Sequence, residues 1–137
     1  MKPSRISVDQ ARQYFQHRSQ QRASGITPDE LPDEPFQYWA CEGVCGAFHP
    51  DHWPGVWMAH YAVKPEHWGR TIGPAKSILQ AFWASERPSL IIGWTAESNR
   101  AALSFSRRLG FREIGKMALD SGNVIMKELG PWVLEQQ

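Results

Sequence analysis

A glycine-bearing loop is the segment of this sequence best suited to bind a ligand. It joins an apolar stretch, Val56–Val63, to a helical stretch that begins near Pro74, and its residues are Trp68, Gly69, Arg70, Thr71, Ile72 and Gly73. The first N–H groups of a helix have no acceptor within the helix, and the helix dipole adds partial positive charge there. Glycine also lets a ligand approach the backbone closely. The pattern therefore predicts a site for an anion such as phosphate.

Two titratable side chains flank this loop in the sequence and are candidates for moving a proton. His60 lies within Val56–Val63, and Glu97 follows the apolar run Leu90–Thr95. An imidazole with a pKa near 6.5 suits a general base at neutral pH. A single strand histidine is more often a structural residue, and Glu97 can simply favour the N-terminus of the next helix. Both interpretations of each residue stay open.

Hydrophobic spacing predicts the elements that position these residues. The predicted strands are Phe36–Cys41, Val44–Phe48, Val56–Val63, Leu90–Thr95, Phe111–Leu119 and Val124–Leu129, with a short strand possible before the first helix. The predicted helices are Ser7–Arg22, Pro74–Arg87 and a helix from the Glu97-Ser98-Asn99 cap to Leu109, with Ala102, Phe105 and Leu109 inward. We expect an α/β (α+β) fold: a mixed, mostly antiparallel twisted sheet of six or seven strands with helices on both faces.

The strands Val56–Val63 and Leu90–Thr95 are predicted to be adjacent and parallel, because a helix separates them in sequence. Such a strand, helix and strand unit makes a right-handed crossover. Both the glycine loop and the cap before the next helix then lie at the same edge of the sheet. The chemistry is expected at that edge.

Size and charge narrow the function classes. The chain has 137 residues, which suits a single domain over residues 1–137, and its formal net charge is +1. No net field attracts nucleic acid or an anionic membrane, and no apolar run has membrane-spanning length. The N-terminus lacks a signal-peptide pattern, so we expect a cytoplasmic protein with reduced cysteines.

A zinc site is suggested by spacing but opposed by strand geometry. Cys41, Cys45, His49 and His52 have the spacing C-x3-C-x3-H-x2-H. If Glu42 and Gly43 form a two-residue hairpin turn, the two thiols lie on opposite faces of the sheet. Because a tetrahedral site needs convergent ligands, we expect no metal.

The order of these motifs resembles the GCN5-related N-acetyltransferases, the GNAT superfamily. The residues that carry the resemblance are Val63, Pro65, Gly69, Gly73, Asn99, Ala102, Leu109, Gly110 and Phe111. In that family the glycine loop has the pattern Arg or Gln, two residues, Gly, one residue, Gly or Ala, and its backbone binds the pyrophosphate of acetyl-CoA. Trp68 and Thr71 depart from this pattern, whereas Gly73 retains it. Where the pattern is lost, the loop is expected to be narrowed or closed.

The resemblance also implies roles for residues outside the loop. Strands four and five splay apart in the family, and Ala62 and Val63 occupy the positions that contact the pantetheine arm. Asn99 corresponds to a residue that caps a helix and contacts the coenzyme arm. The family commonly has a tyrosine general acid where this chain has Ser106, a much poorer proton donor. His60 and Glu97 are then the available bases, although neither matches a common family base position.

Two functions from different classes follow. The first is an N-acetyltransferase that uses acetyl-CoA on an unidentified amine. The second is a catalytically inactive GNAT-fold protein acting as a structural or partner-binding component, since small degenerate GNAT-like proteins occur among bacteriophage proteins. Trp68, Thr71 and Ser106 favour the second function.

The substrate and partner surfaces are less specific. The loop Ser24–Pro35 helps shape the acceptor site in the family, and its acids Asp29, Glu30, Asp33 and Glu34 either attract an amine or are simply exposed. Seven tryptophans are many for this length. Trp53 and Trp57 either pack against the sheet or form a surface for a protein partner or homodimer.

Overall fold

One seven-stranded sheet organises the chain, in a computed structural model that describes residues 2–17 and 28–135. The strands are β1 Ser4–Ile6, β2 Gln37–Cys41, β3 Val44–Pro50, β4 Val56–Val63, β5 Leu90–Ala96, β6 Arg112–Leu119 and β7 Gly122–Leu129. Their order across the sheet is β1-β2-β3-β4-β5-β7-β6. The β4–β5 pair is parallel and the other pairs are antiparallel. The predicted mixed, mostly antiparallel sheet is confirmed.

Three α-helices accompany the sheet in the described residues. They are α1 Val8–Arg12, α2 Ile72–Glu86 and α3 Arg100–Leu109, and short 3-10 helices occupy Pro28–Glu30, Pro65–His67 and Pro131–Glu135. None of these helices is long and apolar enough to cross a membrane. Helix α1 begins with a capping box, in which Ser7 and Gln10 each bond the other's backbone N–H. The predicted helix Ser7–Arg22 is wrong in length, because residues 13–17 form turns; residues 18–22 lie outside the described part.

Helices cover both faces of the sheet, as predicted. One face packs against α2 and α3 and contains the larger core; its most buried members are Val44, Phe48, Ala75, Ile78, Leu79, Phe82, Ile91 and Leu129. The other face packs against α1, with a smaller core of Ala11, Phe15, Leu31, Tyr38, Cys45, Ala47 and Ala62. We call these the α2 face and the α1 face.

The hairpin between β2 and β3 confirms the argument about the two thiols. Cys41 pairs with Val44 and Ala40 with Cys45, and Glu42 and Gly43 both have positive φ, as the two-residue turn requires. Cys41 belongs to the core on the α2 face, whereas Cys45 belongs to the core on the α1 face. The thiols therefore cannot share one ion. Within residues 2–17 and 28–135, no three potential metal ligands lie together.

Two helix predictions need correction at the level of single residues. Helix α2 begins at Ile72, so Pro74 is its third residue rather than its first; its missing N–H is still one that a helix start leaves without a partner. In α3 the buried residues are Leu103, Ser106 and Leu109. The predicted inward residue Phe105 is only partly buried, because α3 is rotated relative to the expected stripe.

Candidate active site

Strands β4 and β5 separate after a short parallel contact. Their pairing covers only Val56 with Leu90, Trp57 with Ile91 and Met58 with Ile92. Beyond Met58 the two strands continue with no mutual pairing, to Val63 and Ala96 respectively. We call the space between Ala59–Val63 and Gly93–Ala96 the opening. The splay expected from the resemblance is present, and it begins well before Val63.

The phase of the β3–β4 ladder decides which β4 backbone groups face the opening. Asp51 N–H donates to Val56 O at 2.8 Å, and Lys64 N–H donates to Gly43 O at 2.9 Å. In an antiparallel ladder, residues alternate between exchanging both bonds with the partner strand and pointing their N–H and C=O groups away from it. By this alternation Ala62 bonds to β3.

The alternate β4 residues, Ala59, Tyr61 and Val63, consequently turn their backbone groups toward β5. Of the two strand residues proposed from the sequence, Val63 has the orientation needed for a contact in the opening. Ala62 pairs with Cys45, and its N–H and C=O groups are engaged on the other side of the strand. The register therefore favours Val63 over Ala62 as a source of such contacts. Tyr61 is the residue that sequence reasoning missed, and the period of two along a strand was the signal for it.

The side chain of Tyr61 supports the opening from the α2 face. Its hydroxyl donates to Ala75 O at 3.3 Å, which ties β4 to the first turns of α2. Its ring meets Phe105 of α3 edge to face, with centroids 5.5 Å apart. Burial raises the pKa of this phenol well above its ordinary value of 10.0. Tyr61 therefore links the strand to both helices whose N-termini lie beside the opening.

The glycine loop leads into α2 as an exposed turn. Gly69 has a φ of +90°, and no atom lies within 4 Å of where its Cβ would be. Glycine is therefore needed there for its backbone angle and not for lack of space. Thr71 is the N-cap residue but makes no side-chain cap bond, and the first bond of the helix runs from Ala75 N–H to Thr71 O. The N–H groups of Ile72 and Gly73 precede that bond and have no acceptor within the helix.

The side chains of the loop leave its outer surface accessible. Gly69, Arg70 and Gly73 are exposed. Trp68 is 53% exposed, and its ring meets His17 edge to face with centroids 5.5 Å apart. The Arg70 guanidinium donates to Glu66 O at 3.1 Å. The helix start with its exposed glycine is a suitable seat for an anion.

His60 lies on the α1 face of β4, beside the opening. Its Nε2 atom is 3.3 Å from Nε2 of His49 on β3, and the two rings are nearly parallel. Burial, and then the neighbouring His49, lower the pKa of His60 from 6.5 to about 4. The ring is therefore neutral at pH 7 and has a lone pair able to accept a proton.

Glu97 is held by partners at the far end of β5. Lys116 Nζ lies 2.6 Å from one carboxylate oxygen, and Asn123 Nδ2 donates to the other at 3.1 Å. These hydrogen bonds, that from Lys116 first and that from Asn123 second, lower the pKa of the carboxyl below its ordinary value. Both carboxylate oxygens of Glu97 are engaged by these partners, whereas neutral His60 keeps a lone pair, so the geometry favours His60 over Glu97 as the base.

Two residues of α3 have local roles that the structure makes visible. Asn99 is the N-cap: its side-chain oxygen accepts from Ala102 N–H at 3.2 Å, as the sequence suggested. Ser106 is 5% exposed, and its hydroxyl donates to Leu103 O at 3.0 Å within the same helix. This bond directs the hydroxyl to the helix backbone and gives no support to Ser106 as a proton donor.

The comparisons with known proteins agree with this arrangement. A family model described as an acetyltransferase (GNAT) domain matches residues 1–112. The chain belongs to the GNAT acetyltransferase family. No curated protein matches its sequence.

Solved GNAT acetyltransferase structures share the fold along nearly the whole chain. The aminoglycoside acetyltransferase AAC(6')-Ib in complex with coenzyme A is 12% identical, with a TM-score of 0.74 over 99% of this chain and 98% of that chain. A spermidine N-acetyltransferase SpeG chimera from Vibrio cholerae and hSSAT is 10% identical, with a TM-score of 0.73 over 100% of both chains. The ribosomal-protein-S5-alanine acetyltransferase from Vibrio fischeri is 12% identical, with a TM-score of 0.69 over 93% of this chain and 91% of that chain. Identities this low establish the shared fold and leave the substrate unassigned.

Proposed function

We propose that this GNAT protein binds acetyl-CoA as a cosubstrate and transfers its acetyl group to an amine. The observation that carries the proposal is the opening between β4 and β5, which lies beside the N-termini of α2 and α3. An opening in a sheet exposes backbone groups that can pair with a ligand as an added strand would. The neighbouring helix start supplies N–H groups for its phosphates. The solved structure of AAC(6')-Ib with coenzyme A supports the assignment by likeness of fold.

The residues present fit such a ligand. The pyrophosphate would lie over Gly69–Gly73, where Gly73 is exposed and two N–H groups of α2 have no acceptor within the helix. The pantetheine arm would follow β4 along Tyr61–Val63, whose alternate backbone groups face the opening. Asn99 caps α3 at the other side and would contact the same arm. Arg70 and Lys76 lie near enough in sequence to meet phosphate oxygens.

The backbone of β4 would polarise the thioester carbonyl. The N–H of Tyr61 is turned toward the opening by the strand alternation, so it can donate to an oxygen placed there. Preorganised backbone donors of this kind stabilise the negative charge that develops on a carbonyl oxygen during acyl transfer. This contribution needs no particular side chain, so it survives the departures at Trp68 and Ser106.

The structure offers a candidate base, His60, but gives no support to Ser106 as the acid. His60 is neutral, lies beside the opening and has the lone pair that an amine proton requires. For the departing thiolate, Ser106 is directed elsewhere, and we assign its protonation to water. Positioned acid catalysis typically contributes about 10²- to 10⁴-fold in rate, so we expect slow transfer.

The acceptor amine would approach from the α1 face. Helices α2 and α3 occupy the opposite face, and His60 lies on the α1 face. The four acids at 29, 30, 33 and 34 are exposed, and an attraction between them and the amine remains a prediction.

Trp53 is 69% exposed, whereas Trp57 packs edge to face on Phe82 in the core. A partner surface could therefore include Trp53 but not Trp57; the cytoplasmic location and bacteriophage origin also remain predictions.

The decisive experiment combines binding with turnover. The melting temperature should rise with acetyl-CoA and with coenzyme A, and should not rise with pantetheine, which lacks the phosphates. Thiol release should then depend on both enzyme and amine across a panel of polyamines, aminoglycosides and peptide N-termini. Binding without release for every amine would favour the inactive, partner-binding alternative, which the comparisons do not support. No binding at all would overturn the proposed function.

A further inference from the structure

Two histidines on neighbouring strands share a hydrogen bond beside the opening. His49 Nε2 and His60 Nε2 are 3.3 Å apart, and their ring centroids are 5.4 Å apart with planes 11° from parallel. Phe36 stacks on the other side of His49, with centroids 4.4 Å apart. The stack fixes the orientation of His49 and holds its Nε2 toward His60.

The contacts of His49 determine which nitrogen carries each proton. Its Nδ1 lies 3.3 Å from Pro50 O, and a carbonyl oxygen can only accept, so Nδ1 carries the hydrogen. Nε2 of a neutral His49 is then the acceptor. The bond between the two rings therefore runs from His60 Nε2–H to His49 Nε2, which leaves the lone pair of His60 on Nδ1.

Nδ1 of His60 is the nitrogen that a substrate would have to reach. It makes no hydrogen bond to any residue in the described part of the chain. In the same part, no fully buried side-chain nitrogen or oxygen is left without a partner. The His60 ring is partly exposed and stands on the α1 face, from which the amine is proposed to approach.

We propose that His60 and His49 form a proton relay for acetyl transfer, a proposal that rests on the proposed function. As the amine nitrogen bonds to the acetyl carbon and the carbon–sulfur bond breaks, one amine proton moves to His60 Nδ1. The proton on His60 Nε2 moves to His49 Nε2, and the half-buried His49 releases a proton to water. The thiolate takes a proton from water, so no proton is gained or lost overall. Exchange with water restores both tautomers before the next turnover.

Electrostatics explain why two rings serve better than one. Burial disfavours the charged form of His60, and this lowers its pKa to about 4. A base that had to hold the proton there would be weak. In the relay His60 gains a proton at one nitrogen while it loses another, so its ring never carries net charge. The charge passes to the partly exposed His49 and from there to water.

His60 is thus the catalytic residue, and His49 is a positioning residue that acts through it. The plain alternative is that His49 only stacks between Phe36 and His60. His49→Phe separates the two, because phenylalanine keeps a ring in the stack and removes both nitrogens. His52→Phe is the matched control: the His52 side chain is 88% exposed, and its Nδ1 lies 3.2 Å from an Asp51 carboxylate oxygen in the loop that precedes β4.

Four forms are compared kinetically with the best amine of the panel: wild type, His49→Phe, His52→Phe and, for rescue by imidazole, His49→Ala. We expect His49→Phe to lower kcat at least about 10-fold with the KM for acetyl-CoA unchanged, and His52→Phe to stay within about twofold of wild type. Added imidazole should restore part of the kcat of His49→Ala. A kcat of His49→Phe within twofold of wild type would overturn the relay while leaving the proposed function intact. Absence of turnover by the wild type with every amine would overturn both.

The tautomers provide a readout that does not depend on activity. Nitrogen-15 chemical shifts of the wild-type histidines at pH 7.5 should show His49 protonated on Nδ1 and His60 protonated on Nε2. The opposite tautomer on His60 would leave its lone pair facing His49 and would overturn the relay even in an active enzyme.

Discussion

The imidazole of His67 lies directly against Gly43, so close that a Cβ built on Gly43 would come within 2.2 Å of His67 Cγ. The contact joins the β2–β3 turn to the 3-10 helix that precedes the glycine loop. The bond from Lys64 N–H to Gly43 O reinforces it at 2.9 Å. A turn residue remote in sequence thereby fixes where the candidate anion site begins.

Gly43→Ala should disturb both stability and ligand binding. Gly43 has a φ of +84°, which costs about 1–2 kcal/mol for a residue with a Cβ, and the clash with His67 adds overpacking of about 1–3 kcal/mol. Gly122→Ala is the matched control, since Gly122 also has positive φ but no atom within 4 Å of its Cβ position. Denaturant unfolding of both variants would isolate the clash. Equal losses would show that the His67 contact contributes nothing.

Lys127 should make the protein more stable at alkaline pH. This lysine is 5% exposed and donates to Thr95 Oγ1 at 2.5 Å. Burial lowers its pKa from 10.5 to about 8, although Glu113 partly opposes the effect. The unfolded chain therefore binds more protons between pH 8 and 10.5, so stability rises with pH in that window.

The gain should amount to about 1–3 kcal/mol between pH 8 and 10.5. Lys127→Met should remove this gain, so its free energy of unfolding should change less with pH than that of wild type. The double variant Lys127→Met with Thr95→Val makes the same test without leaving the Thr95 hydroxyl unpaired. Free energies of unfolding at several pH values provide the measurement. An unchanged slope in both variants would count against a buried lysine.

His60 should produce a dependence of the same sign at acid pH. Its pKa falls from 6.5 in the unfolded chain to about 4 in the folded protein, so the unfolded state binds more protons between those values. The stability contributed by neutral His60 is complete above pH 6.5 and is lost as pH falls through about 4. The loss should be at most about 3 kcal/mol. His60→Phe should be less sensitive to pH over this window, and a variant that tracks wild type would refute the assignment.

Ser106→Ala should leave catalysis unchanged. The Ser106 hydroxyl donates to Leu103 O. Alanine removes this extra donor, and Leu103 O stays within its helix. We expect kcat within about twofold of wild type and a stability loss of about 1 kcal/mol, the typical net contribution of one hydrogen bond. A kcat reduced 10-fold or more would identify Ser106 as the proton donor after all.

The fold was largely predictable because its signals are local. Apolar runs, the Glu42-Gly43 turn and the cap at Asn99 each act within a few residues, and their order indicates the parallel β4–β5 pair. The length of α1 was not predictable in this way, since the turns after Arg12 interrupt a favourable periodicity.

The site was only partly predictable, because its decisive features depend on register. Whether Ala62 or Val63 faces the opening follows from the phase of the β3–β4 bonds. The contact of His49 with His60 is a diagonal one across the β3–β4 pair, since His49 pairs with Met58 and His60 pairs with Ala47. The bond from Ser106 to its own helix likewise depends on the rotation of α3. None of these relationships has a signature in residue types alone.

The affinity of acetyl-CoA for Gly73→Glu tests the proposed anion site directly. This substitution places a negative charge at the second residue of α2, where the pyrophosphate is proposed to lie. Ala118→Glu makes a similar change in charge and size on the exposed strand β6 and serves as the control. Calorimetry should show an affinity at least about 10-fold weaker for Gly73→Glu, equivalent to about 1.4 kcal/mol, and a wild-type affinity for Ala118→Glu. Wild-type affinity in a folded Gly73→Glu variant would contradict the proposed anion site.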